Sequence, residues 1–223
     1  MTMFVSQILF SWVLLVVLHV SALAFVGAML GVSLREISFG FGKAIFTQGR
    51  LTIRALPVGG FVKFKDTRTE LISHEEDSEV VDAFNHKPRI IQATIPLAGA
   101  GVLVLAAALI QPASAVSEVL TGFRQILAGA LGPLSVAQTY IHAAYDLTRS
   151  DGFWALFGVL AAKVAAFNLL PFPWTNGGQA VLALLRSDRT ATPAWQERIT
   201  QIAIWPFLAL VVLWALSFCV FLG

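Results

Sequence analysis

Charge is what this chain of 223 residues has least of: Asp, Glu, Lys and Arg together make up 13%, and no charged side chain occurs before Arg35. A soluble domain of that size exposes far more charge on its surface. With 57% hydrophobic residues and a mean hydropathy of +0.77, the chain has the composition of an integral membrane protein. The net charge is only +2, and its carriers are spread between loops, which excludes a nucleic-acid surface. Cysteine is almost absent too. The single Cys219 excludes both a disulfide framework and a cysteine metal site within one chain. The apolar start lacks the basic n-region and short core of a signal peptide, so it reads as a retained first span. No internal repeat is evident.

What is present divides into apolar runs and one β-patterned stretch. The expected fold class is a mainly α membrane protein with about four transmembrane helices, over about 4–32, 90–110, 153–172 and 197–222. A small membrane-associated β-region, about 33–64, falls between the first and second. There, β-branched and aromatic residues alternate with polar ones and are punctuated by Gly40, Gly42, Gly49, Gly59 and Gly60. Asp66 to Asp82 carries Glu70, Glu75, Glu76, Asp77 and Glu79, and reads as a solvated, mobile loop. Gln111 to Asp151 contains Gly132-Pro133 and predicts one or two short helices along the opposite surface. All 223 residues are taken as a single membrane domain. Lys and Arg number nine in 35–89 and three in 186–198 against two in 111–151. With four spans, this bias puts the amino terminus outside and the sheet towards the cytoplasm.

The third apolar run ends in AFNLLPFPWTNGG, Ala166 to Gly178. Pro171 and Pro173 remove backbone donors, and Gly177 and Gly178 permit unusual dihedrals, so a helix cannot pass straight through. Backbone left unpaired at membrane depth is tolerated only where it is buried in protein or lines a polar cavity. The break therefore marks either an internal site furnished by Asn168, Thr175 and Asn176, or a helix that ends at the interface before a Pro-Gly turn.

Seven elements in order carry a resemblance that covers nearly the whole chain. They are His19, then Gly31-Val32, then Ile37 to Lys43 (ISFGFGK), Pro57 to Lys63 (PVGGFVK), Ala83 to Lys87 (AFNHK), Gly132 to Ala137 (GPLSVA), and Asn168 to Gly178. This order resembles the site-2 protease family of intramembrane zinc metalloproteases, without the PDZ insert that many members carry. The family holds zinc with two histidines of an H-E-x-x-H helix and an aspartate of the third span, and its glutamate deprotonates the metal-bound water. In this sequence the first motif reads His19-Val20-Ser21-Ala22-Leu23, and the aspartate position is Asn176. The base and two of three ligands are gone. His19, the only retained ligand type, then reads as a buried, hydrogen-bonded helix residue.

The resemblance implies that the sheet receives an extended client segment by strand addition. Gly40, Phe41, Gly42, Gly59, Gly60, Phe61, Asn168 and Pro171 are the substrate-binding candidates. Strand addition requires an edge that is open at Gly59-Gly60. Lys163 stands where the family commonly has asparagine, and we expect it to share a polar interior with Asn176 or Asn168. The functional expectation is a catalytically inactive, site-2-protease-like pseudoprotease that binds or regulates a membrane-protein client, with no cofactor. The expected location is a bacterial inner membrane. Two alternatives stand beside it. One is a divergent active zinc metalloendopeptidase using zinc, for which His142, Asp146 and Glu36 are the only substitute ligands. The other is a complex subunit that keeps only the fold.

Overall fold

The structure is a computed structural model that describes residues 2–69, 81–186 and 191–223. Its described elements run α1 (Thr2–Met29), β1 (Leu34–Gln48), β2 (Leu51–Phe64), α2 (Arg89–Ile110), α3 (Ala115–Leu131), α4 (Val136–Ser150), α5 (Gly152–Asn168), α6 (Asn176–Leu185) and α7 (Ala194–Leu222). The chain is thus mostly helical, with one two-stranded antiparallel sheet between the first and second helices. Most of the expected acidic loop falls in 70–80, outside the described residues.

Among the described residues, three helices, α1, α2 and α7, are long and apolar enough to cross a membrane. At a rise of about 1.5 Å per residue, the 28 residues of α1 span about 42 Å, more than a hydrocarbon core of about 30 Å. The helix α5 is apolar but only 17 residues long, and it stops at Asn168, short of the expected 172. The first helix also stops early. Gly31 takes a left-handed φ of 68°, and Val32 leads into β1 instead of extending α1 to residue 32.

The sheet has a discontinuous register. Ile37, Ser38 and Phe39 have Val62, Phe61 and Gly60 as one set of partners and Leu51, Thr52 and Ile53 as another, while Phe46, Thr47 and Gln48 also face Ile53, Thr52 and Leu51. The hairpin therefore curls over, and the start of β1 is covered on both edges. Gly40 makes the curl possible. Its φ is 92°, and a Cβ there would lie 2.8 Å from the Leu56 carbonyl oxygen. Backbone hydrogen bonds from Ser33 to Asp82 (3.0 Å), Lys65 to Ser33 (2.8 Å) and Phe84 to Lys65 (2.8 Å) fasten the sheet's base to the approach to α2.

The helical core is rich in small residues. Ala161, Ala162, Ala165 and Ala166 of α5 are wholly buried against α2 and α3, which lets these backbones approach closely. The segment Gln111 to Asp151 forms two helices, within the expected one or two, but α3 is built into this core through Ala115, Val119, Ile126 and Ala130. Gly122 admits the Ala166 methyl, and Gly129 seats the Trp214 ring, whose Nε1 donates to the Ile126 carbonyl oxygen at 2.9 Å. Small residues at 122 and 129 are what draw α3 inward.

Gly129→Ala places a methyl inside the Trp214 ring and is expected to lower stability by about 1–3 kcal/mol, measured as thermal unfolding in detergent. Gly101→Ala meets nothing within 4 Å and is expected to leave the transition unchanged or slightly raised.

Candidate functional site

The break after α5 is built so that its backbone closes on itself. Thr175 caps α6: its hydroxyl reaches the carbonyl oxygens of Leu170 and Phe172 (2.9 Å for the latter) and accepts from the Gly178 amide at 3.4 Å. The turn folds so tightly over the start of α6 that a Cβ on Gly177 would strike the Leu169 backbone, and one on Gly178 the Phe172 carbonyl. Two glycines are therefore a steric requirement of the turn. Asn168 stays with its own helix and donates from Nδ2 to the Val164 carbonyl oxygen at 2.9 Å. Pro171 lies exposed in the turn.

Asn176, at the start of α6, is buried and donates from Nδ2 to the carbonyl oxygen of Pro96 in α2. This bond ties α6 to α2 one turn before Gly99. At Gly99 the missing side chain is decisive. A Cβ there would lie 2.6 Å from His19 Cε1, 2.8 Å from His19 Nδ1 and 2.9 Å from Asn176 Nδ2. The imidazole of α1 and the amide of α6 thus converge on one small space that α2 leaves empty, and the buried Nδ1 lacks a well-formed hydrogen bond. The structure brings His19 and Asn176 together, as their motif positions imply. Leu23, one turn further along α1, has an alkyl side chain with no ligand atom.

Val20 is fully buried against the sheet. A Cβ on Gly60 would lie 2.7 Å from Val20 Cγ2 and 2.5 Å from the Ser38 carbonyl oxygen, so Gly60 is the seat of α1 and not an open edge. Gly59 is closed by the Phe41 ring, 2.9 Å from its own would-be Cβ. Phe41 and Phe61 pack at 6.1 Å between centroids, with the Arg54 guanidinium 5.6 Å above Phe61. Gly42, with φ 81°, continues the bend made by Gly40. The expectation of an edge open at Gly59-Gly60 is therefore corrected. The exposed part of β2 is Ala55 to Val58, where Leu56 and Val58 turn apolar side chains outward beside Ile45, Phe46 and Ile53.

None of the substitute ligands approaches His19. Glu36 is held by Arg54 at 2.7 Å. His142 packs its ring on Phe221 at 4.9 Å, next to Phe4, which is 15 residues or about 22 Å along α1 from His19. Asp146 lies one turn beyond His142 on α4. Among the described residues, no three His, Cys, Asp or Glu side chains converge as a metal-binding group.

Lys163 departs from the expected arrangement. Its Nζ donates to the Glu118 carboxylate at 2.5 Å, to the Glu118 carbonyl oxygen at 2.9 Å and to Thr121 Oγ1 at 3.2 Å, all on α3 and none on Asn168 or Asn176. The physical reason is the inward packing of α3, which brings a carboxylate within reach of the ammonium. A counter-charge neutralises it better than an amide can. Sequence reasoning missed Glu118, although it is the only acidic residue between Asp82 and Asp146. That isolation in an apolar stretch was the available signal.

Residues 7–213 match the model of peptidase family M50. No curated protein matches the chain.

The Lys163–Glu118 pair generates a double-mutant test. Lys163→Met or Glu118→Gln alone leaves one partner with reduced compensation and is expected to cost about 3 kcal/mol in thermal unfolding. The double variant is expected to lose clearly less than the two single losses combined.

Proposed function

The chain belongs to peptidase family M50, and we propose that it is a catalytically inactive member that binds or regulates a membrane-protein client. The observation that carries this reading is the convergence at Gly99. The family's three ligand positions are here one imidazole, one alkyl chain and one amide whose nitrogen is already given to Pro96. These residues do not fit a tetrahedral zinc ion. At the position of the general base, Val20 is buried against the sheet and has no proton to exchange. The frame is meanwhile intact: the capped break, the two required glycines and the sheet seated on α1 are all in place.

In this reading the whole chain is one domain, α5 and the turn to α6 act together as the broken third of four spans, and the amino terminus lies outside a bacterial inner membrane. The client adds to the outer edge of β2. The start of β1 is covered on both edges, whereas Ala55 to Val58 is exposed and flanked by apolar side chains. Such a surface suits an unwound apolar segment better than a soluble one.

Two measurements test the proposal. The purified wild-type protein is expected to carry no stoichiometric zinc. The combined change Val20→Glu, Leu23→His and Asn176→Asp is expected to take zinc up, provided its thermal transition shows that the longer side chain at 20 is accommodated against Gly60. One zinc per wild-type chain, lost in His19→Ala, would overturn the inactive reading. For the client, a photocrosslinker in place of Val58 is expected to yield a protein adduct in native membranes that the same group at Trp154, on a helix remote from the sheet, does not yield. Adducts to lipid alone at Val58 would remove client binding at the sheet.

A further inference from the structure

A second cavity, open on one side, lies away from the Gly99 convergence between α1, α3, α4, α5 and α7, with a volume of about 700 Å³. Its walls are mostly apolar, including Phe4, Ile141, Leu160 and Trp214. Glu118, Lys163 and Gln111 also line it. Pockets of this size hold one small-molecule ligand, and an apolar pocket with a few convergent polar groups is the usual form of such a site.

The polar groups restrict what the head of a ligand can be. An ammonium has three donors, and those of Lys163 are all directed to α3, on Glu118 and Thr121. The unused capacity is on the accepting side. Glu118 Oε2 takes Lys163, which leaves the second carboxylate oxygen. Gln111 Nε2 donates to the Ala155 carbonyl oxygen at 3.1 Å, which leaves its own amide oxygen. A head that donates hydrogen bonds is matched to these acceptors. A carboxylate head would stand beside the Glu118 carboxylate, and an ammonium head beside Lys163, so an uncharged head avoids both repulsions.

We propose that this chamber is a binding site for a single-chain amphiphile with a hydroxyl head, of the monoacylglycerol or long-chain alcohol class, whose tail lies along Phe4, Ile141, Leu160 and Trp214 and whose head is held by Glu118 and Gln111. The site is independent of the client reading, since it shares no residue with the sheet or with the His19–Asn176 convergence. Lys163 serves as the positioning residue: it fixes the Glu118 carboxylate and offsets its charge.

The test uses the full chain in detergent, with native mass spectrometry and equilibrium competition between 1-monooleoylglycerol and oleate at pH 8. Wild-type protein is expected to bind one monooleoylglycerol saturably, with oleate at least about tenfold weaker, a discrimination of about 1.4 kcal/mol. Ala144→Phe, which builds a ring into the chamber wall, is expected to weaken binding at least about tenfold; should that variant fail to fold, Leu160→Trp replaces it. The double variant Glu118→Gln, Lys163→Met is expected to bring the two ligands within about threefold of each other, because the carboxylate that rejects oleate is gone. A purely structural ion pair would not move that ratio. The absence of a saturable adduct, equal affinity of the wild type for both heads, an unchanged ratio in the double variant, or binding of dioleoylphosphatidylcholine as tight as that of monooleoylglycerol would each overturn the proposal.

Discussion

Everything around the Gly99 convergence depends on one constraint: the backbone of a broken helix has to find hydrogen-bond partners where water is scarce. The turn from Leu169 to Thr175 meets it internally. Thr175 closes on the Leu170 and Phe172 carbonyls, and Asn176 reaches across to Pro96 of α2. The Asn176 bond does more than satisfy a carbonyl. It docks α6 on α2 at a fixed height, and that height is where Gly99 lets the His19 ring in from α1. Three helices meet there because one side chain is absent and one amide is present. The sheet is registered to the same point from below, through Gly60 against Val20.

The other half of the bundle is organised by charge and by small residues. Gly122 and Gly129 bring α3 to the Ala166 methyl and the Trp214 ring, and only at that closeness can Glu118 meet Lys163. The pair in turn explains why an ammonium is tolerable on a helix whose neighbours are alanines. Removing it from water is costly, and three hydrogen bonds to one helix plus a full counter-charge recover that cost. The same bonds leave the Glu118 carboxylate with spare accepting capacity towards the chamber, so structure and ligand preference have a single origin.

Much of this was legible in the chain itself. The β-stretch was marked by alternation and glycine punctuation, and it forms at 34–64. The break was marked by Pro171, Pro173 and the two glycines, and the departures from the family motif at Val20, Leu23 and Asn176 were readable position by position. What sequence could not give was tertiary. The stretch Gln111 to Asp151 has the moderate polarity of a surface helix pair, and nothing local says that Gly122 and Gly129 will be covered. Without that contact Lys163 has no visible partner, so the nearest motif amides were expected in place of Glu118. Gly59-Gly60 looked like an open edge because glycine signals backbone access in general. Here the access is taken by α1 of the same chain. Element lengths also misled at the ends, where α1 gives way at Gly31 and α5 at Asn168.

The three substitutions at the motif are physically coherent with one another. Val20 is fully buried, with its Cγ2 against Gly60. A glutamate there, without a metal-bound water to donate to it, would be an unpaired buried carboxylate, one of the most costly groups to bury. Valine fills the space with no desolvation penalty. An aspartate at 176 would likewise face the Pro96 carbonyl oxygen, acceptor against acceptor, whereas asparagine turns that contact into a hydrogen bond. Without a bound zinc, the family's residue types at 20 and 176 would destabilise the frame, whereas the valine and asparagine present stabilise it. Packing at Val20 and a neutral hydrogen bond at Asn176 therefore hold the frame of this site.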